Sequence, residues 1–186
     1  KLNTDFSIIK EIDDIINIVN LSRSARNKAN IKVRQPLSHL YIFSNEDIST
    51  TVKRNEDQIK EELNVKTIKI VDNIDTLLSY KVKPNFALLS EKYGNNMKEI
   101  ISFLNQADQN SLASDIEKNK KIEININWET FEILEQELIV EEIPKGDLCV
   151  NGNKEFKIGL DINISEELKM EGVVRDLIRH VQNLRK

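Results

Sequence analysis

The hydrophobic spacing of this chain changes at Pro36, and that change constrains its fold more than any other feature. Upstream, Ile8, Ile12, Ile15 and Val19 recur at helical intervals. Ile9 and Ile16 widen the stripe, and small Ala25 and Ala29 continue it. The spacing predicts a helix starting near Thr4 or Asp5, either of which can cap exposed N–H groups. It must end before the proline, which drives Gln35 towards an extended conformation. Downstream, LSHLYIF has strand-like composition, and VKTIKIV and KIEINI alternate with a period of two. The class expected is α+β: a long N-terminal helix, then mixed strands and helices with a sheet, closing on a C-terminal amphipathic helix.

Further elements follow from local signals. Asn45 is expected to cap a polar helix reaching about Leu63, and LLSYKV to pair with VKTIKIV. Residues 85–94 read as loop and turn, followed by helices over about Met97–Gln106 and Ser111–Glu117. WETFEILEQELIVEEIP reads as one or two strands, and CVNGNKEFKIGLDINI as a hairpin turning at Asn151-Gly152. Ser165 caps the last helix, with Glu166 and Glu167 in its favourable first turn. Met170, Val173, Leu177, Val181 and Leu184 are expected to line its buried side. Without an initiator methionine or a stop signal after NLRK, the chain reads as a segment of a longer polypeptide.

Charge supplies the functional signal. From Ile15 to Asn45 there is no carboxylate, although the protein carries a formal net charge of −4. That window holds Arg23, Arg26, Lys28, Lys32 and Arg34, which could meet a phosphate backbone. No local acid competes for Arg23, Arg26 and Lys28, which makes them the preferred contacts. Arg34 is balanced between that role and an internal brace paired with Glu171 or Asp176. On the last helix Arg175, Arg179 and Lys186 form either a second phosphate track or a solvated face. Trp128 and Phe131 could stack on bases, but the acids beside them favour packing, and His39 reads as a packed histidine. One cysteine and two distant histidines do not make a zinc site. No phosphate-cradling loop, nucleophile elbow or metal-binding carboxylate–histidine motif is present, so no catalytic residue is assigned. No apolar run approaches the roughly 20 residues of a membrane span, and the lone cysteine fits a reducing cytoplasm.

Two stretches resemble isoleucyl-tRNA synthetases. NKANIKVRQPL looks like the ARxxAxIKVRQPL ending of that family's anticodon-binding helical bundle, and MEGVVRDLIRHVQNLRK like its EGxxRELxRxIQxLRK helix. Glu171, Gly172, Arg175, Arg179, Gln182, Leu184, Arg185 and Lys186 match the latter, with Asp176 where Glu is usual. Between them VKPNFALLSEKYG is similar to VKPNxxxLGxKxG, with Ser90 replacing a glycine, and ELIVEEIPKGDLCV is a looser match. The family's HIGH and KMSKS signatures are absent from this chain. The resemblance implies residues 1–36 as the terminal helix of the bundle and its junction, and 37–186 as an α+β C-terminal domain. It implies the tRNA for isoleucine as partner, together with the upstream bundle and catalytic domain of the same polypeptide. ATP and magnesium are implied for the parent ligase and no cofactor for this segment, which should itself be inactive. A docking domain with little RNA contact and a general RNA-binding module are the competing expectations.

Overall fold

The computed structural model describes residues 2–126 and 128–185. Its elements are α1 (Leu2–Lys28), β1 (Leu37–Ser44), α2 (Ser49–Arg54), α3 (Glu56–Leu63), β2 (Val65–Val71) and β3 (Leu78–Pro84). Then follow α4 (Phe86–Tyr93), α5 (Met97–Gln106), α6 (Gln109–Asn119), β4 (Lys121–Ile126), β5 (Glu129–Leu134) and β6 (Leu138–Pro144). The chain closes with β7 (Leu148–Gly152), β8 (Phe156–Asp161) and α7 (Glu166–Leu184). The α+β class is as expected. Packing divides the chain into two compact units, Lys1–Leu77 with Pro144–Lys186, and Leu78–Ile143. The expected boundary at residue 36 does not follow this packing, because α1 lies against β7 and β8 within the first unit.

The first unit is built on a four-stranded sheet ordered β2-β1-β8-β7. β2 runs parallel to β1, with α2 and α3 as the crossover, and β8 is antiparallel to both β1 and β7. Period-two alternation sends Leu40, Ile42, Ile158 and Leu160 to the face covered by α1, where Ile18 and Ala25 are fully buried with them. α1 begins at Leu2, and the side chains of Thr4 and Asp5 lie outside the described residues. The helix ends at Lys28, well before the proline, and in the turn beyond it Asn30 takes the left-handed conformation common after helix ends, with φ 56°.

Three local expectations are corrected here. The polar helix after β1 is two helices, broken at Asn55, whose Nδ2 donates to the Thr51 carbonyl and to Glu11. Asn45 caps nothing; its Nδ2 donates to the Lys154 carbonyl. Asn151 and Gly152 stay in the ladder, opposite Ile158 and Lys157. The turn comes after them, where the Asn153 side chain accepts from the amides of Glu155 and Phe156.

The second unit has two two-stranded sheets, β3-β6 and β4-β5, packed with α4, α5 and α6 around Leu89, Ile100, Leu104, Ile116, Ile124 and Ile133. β3 therefore pairs with β6 and not with β2 as expected. Residues 86–93, expected as loop, form α4, because Leu89 has an apolar pocket to fill and is completely buried. Buried Glu137 accepts a 2.9 Å hydrogen bond from Lys92 and caps the Leu134 amide.

α7 departs most from expectation. Ser165 caps it as foreseen, accepting from the Leu168 amide. Its docked side, however, is marked by Leu168 and Gly172, the buried residues of the helix. Met170, Val173, Leu177, Val181 and Leu184 all face outwards, Leu177 being 61% exposed. Apolar periodicity shows that a helix has a stripe but not what covers it. Ile8, Ile9, Ile12 and Ile16 of α1 are likewise exposed.

Candidate nucleic-acid interface

The acid-free tract spans the second half of α1, the turn that follows it and β1, and its cations meet different surroundings. Arg26 is completely buried. Its Nη1 donates to the carbonyls of Lys32 (3.0 Å) and Gln35 (2.9 Å), and its Nη2 to those of Leu63 (2.6 Å) and Asn64 (3.1 Å). Loss of water pushes its pKa down to about 10. Arg26 was a preferred RNA contact, and the structure corrects this: it organises the turn and offers no surface. Asn64, ending α3 at φ 50°, continues the same lattice by donating to the carbonyls of Val33 and Arg34.

Gln35 joins the turn to α7. Its Nε2 donates to the Leu168 carbonyl at 2.8 Å, and Gly172 makes room for it: a Cβ there would lie 2.5 Å from Gln35 Oε1. The two stretches on which the family resemblance rests are thus in physical contact. Beside them Arg34 Nη1 lies 3.1 Å from Asp176 Oδ1, the internal brace held open for it, and Lys32 lies 4.0 Å from the same carboxylate. A groove of about 290 Å³ runs between the turn and α7, lined by Asn30, Lys32, Gln35 and Val173 among others.

The remaining cations are placed as follows. Arg23 is ion-paired with Glu62, so an acid distant in sequence does compete for it. Exposed Lys28 donates to the Val150 carbonyl at 3.3 Å. Arg175 contacts Glu171 at 2.8 Å, which also receives Lys66 at 2.6 Å. Arg179 is exposed and makes no hydrogen bond or ion pair with a described residue. Lys186 lies outside the described residues. Four cations, Lys32, Arg34, Lys66 and Arg175, therefore share two carboxylates, Asp176 and Glu171. The surface stays positive even before Arg179 is added, and Lys32 is its most solvated pole at 78% side-chain exposure. Sequence reasoning missed Lys66, which reaches this cluster only through the β1–β2 pairing.

Away from the junction, Trp128 is fully exposed in a turn at φ 70°, correcting its reading as a packed residue. Phe131 does pack, edge-on to Tyr93 with ring centroids 5.6 Å apart. His39 is half-buried, its Nδ1 3.2 Å from Asp161 Oδ2. Among the described residues no group of three or more His, Cys, Asp or Glu is placed to hold a metal ion. No helix formed by them is long and apolar enough to cross a membrane.

No family model matches the chain. Individual proteins do. It is 34% identical over 177 residues to an isoleucine–tRNA ligase of Clostridium tetani, covering 95% of this chain and 17% of that protein. The isoleucine–tRNA ligase of Clostridium kluyveri is 34% identical over 182 residues, with 98% and 17% covered. That of Thermus thermophilus is 32% identical over 184 residues, again with 98% and 17% covered. The chain spans 17% of the length of these relatives. Along nearly the whole of its own length the chain is thus similar to one segment of isoleucine–tRNA ligases.

Proposed function

We propose that this chain is the C-terminal, anticodon-end tRNA-binding portion of an isoleucyl-tRNA synthetase. It holds the tRNA for isoleucine while the amino acid is attached at a distant active site outside the segment. The observation that carries this reading is the surplus of cations on the turn–α7 surface, in a chain whose relatives are ligases that bear tRNA in their names. ATP and magnesium would act elsewhere in the polypeptide, beside an upstream helical bundle and catalytic domain, in the cytoplasm. The contribution of this segment is positional: orienting a bound reactant can lower a barrier by several kcal/mol without touching the reacting atoms. Lys32 and Arg179 are the leading phosphate contacts, with Lys28 and Arg175 flanking them.

The test is tRNA binding by the ligase polypeptide at several salt concentrations. Lys32→Glu with Arg179→Glu should weaken binding and flatten the logarithmic salt dependence by about 0.7 per lost phosphate contact. An unchanged slope and affinity would refute the assignment.

A second reading, in which the segment chiefly docks other parts of the polypeptide, is favoured by the exposed apolar sides of α1 and α7 and by the Arg34–Asp176 brace. Reversing Arg34 discriminates the two. A large loss in melting temperature with normal tRNA affinity per folded molecule supports the docking role.

A further inference from the structure

The sheet face turned away from α1 carries a row of rings along the central strand β1. His39, Tyr41 and Phe43 project to this side by strand alternation, while Leu40 and Ile42 go to the core. All three are half-buried and so lie against the sheet. His39 and Tyr41 are stacked, with centroids 5.8 Å apart and planes inclined at 28°. Asp161, across on β8, restrains the imidazole. On the other flank Lys69, paired with Tyr41 in the β1–β2 register, holds its ammonium 5.4 Å from the Tyr41 ring centroid. Lys69 is exposed and makes no ion pair with a described residue. Towards β7 the row is closed: Gly159 pairs with Tyr41, and a Cβ there would come within 3.0 Å of Leu77. The platform therefore opens on the β2 side, where the free ammonium stands.

Aromatic residues on an outer sheet face often do no more than support cross-strand packing. Three rings in one row with an unneutralised lysine beside them offer more. Flat rings stack on unpaired bases, and a neighbouring cation meets the phosphate. Residues two apart on a strand are separated by about 6.6 Å. That is about twice the 3.4 Å per-strand rise of a duplex, so the row suits splayed bases and not a continuous stack. We propose that this face is a stacking platform for unpaired nucleotides of an RNA loop, with Tyr41 and Phe43 each receiving a base and Lys69 the phosphate between them. The proposal rests on the reading of the chain as a tRNA-binding segment and adds to it the part of the RNA that is read.

The test uses the ligase polypeptide that carries this segment and two labelled RNAs, a hairpin with an unpaired loop and a blunt duplex of the same stem, followed by fluorescence anisotropy. Tyr41→Ala and Phe43→Ala should each weaken hairpin binding by about 5- to 140-fold, the equivalent of one lost base stack, and leave duplex binding unchanged. Tyr41→Phe should stay within about twofold of the wild type, which separates stacking from the hydroxyl. Lys69→Ala, at an exposed position, should lower the salt slope for the hairpin by about 0.7. The platform is refuted if both alanine variants bind the hairpin normally, if hairpin and duplex are weakened alike, or if Lys69→Ala leaves the slope unchanged. Should tRNA bind through Lys32 and Arg179 while the hairpin loop does not, the platform fails and the tRNA reading stands. If no RNA binds at all, both fail.

Discussion

Arg26 offers the sharpest prediction, because an exposed arginine at the same point of the sequence would behave in the opposite way. Consider Arg26→Met, which keeps much of the volume and removes the donors. Of the four carbonyls, Lys32 O also accepts from the Gln35 amide and Asn64 O from the Leu37 amide, both at 3.0 Å. The Gln35 and Leu63 carbonyls, whose donor is Arg26, lose it. A stranded buried acceptor costs about 1–3 kcal/mol, so the two together cost about 2–6 kcal/mol. Methionine also relieves the desolvation that pushes the guanidinium down to about 10, which places the net loss in the lower part of that range, at about 2–4 kcal/mol. At roughly 2–4 °C per kcal/mol for a chain of this size, the melting temperature should fall by roughly 4–16 °C. Arg26→Lys should be intermediate, since one ammonium cannot reproduce a planar fork. Urea titration followed by amide exchange in β1 measures the loss where it occurs, and tRNA affinity per folded molecule should not change. The reasoning is refuted by a loss below about 1 kcal/mol, or by tRNA affinity that disappears while stability holds.

Three further outcomes follow, two from close packing and one from charge. Gly152→Ala should destabilise by about 1–3 kcal/mol in thermal melts, because its Cβ would run into the Phe156 carbonyl oxygen and lie 3.0 Å from Lys157 Cα. Gly94→Ala should be neutral or stabilising, since no atom stands within 4 Å of the added carbon. The Glu171 carboxyl is held below its ordinary value of 4.5, chiefly by the hydrogen bond from Lys66, with Arg175 assisting. A depressed carboxylate stabilises the fold above its unfolded pKa and loses that contribution as pH falls through the folded one. The protection of α7 amides, the slowing of their exchange relative to an unstructured peptide at the same pH, should therefore fall as the pH drops below about 4.5. Glu171→Gln should abolish that dependence.

How far each feature could be read from sequence depended on whether its cause was local. α1 and α7 were legible because helical spacing and the Ser165 cap act within a few residues. The edges of the α2–α3 crossover were not, since Asn55 breaks it by reaching Glu11, far back in the chain. Charge counting found the acid-free tract but treated its cations alike. Arg26 is buried by carbonyls, which a tally of acids does not see, and Arg23 is neutralised by Glu62, 39 residues away. The Arg34–Asp176 pair was foreseen as one of two alternatives because the last helix offers acids, Glu171 and Asp176, that the acid-free tract lacks. The outward side of α7 was misread for a simple reason: an apolar stripe specifies burial only once a partner surface is known. The ring row on β1 was visible as the alternation within LSHLYIF, but its meaning required the β1–β2 register that sets Lys69 beside Tyr41.

The sheet of the first unit has a consequence for how the molecule is made. Its central strands β1 and β8 are adjacent in space but separated by the entire second unit in sequence. As the polypeptide leaves the ribosome, β1 can acquire β2 early, since the crossover between them is short. Its other edge stays open until residues 156–161 have emerged. During that interval the unit at 78–143, which is continuous in sequence, can close on its own contacts. The unpaired edge of β1 is meanwhile a template for wrong partners. The order of synthesis thus puts the contiguous insertion first and the discontinuous sheet last, and it makes the β7–β8 hairpin the step that completes the first unit's sheet.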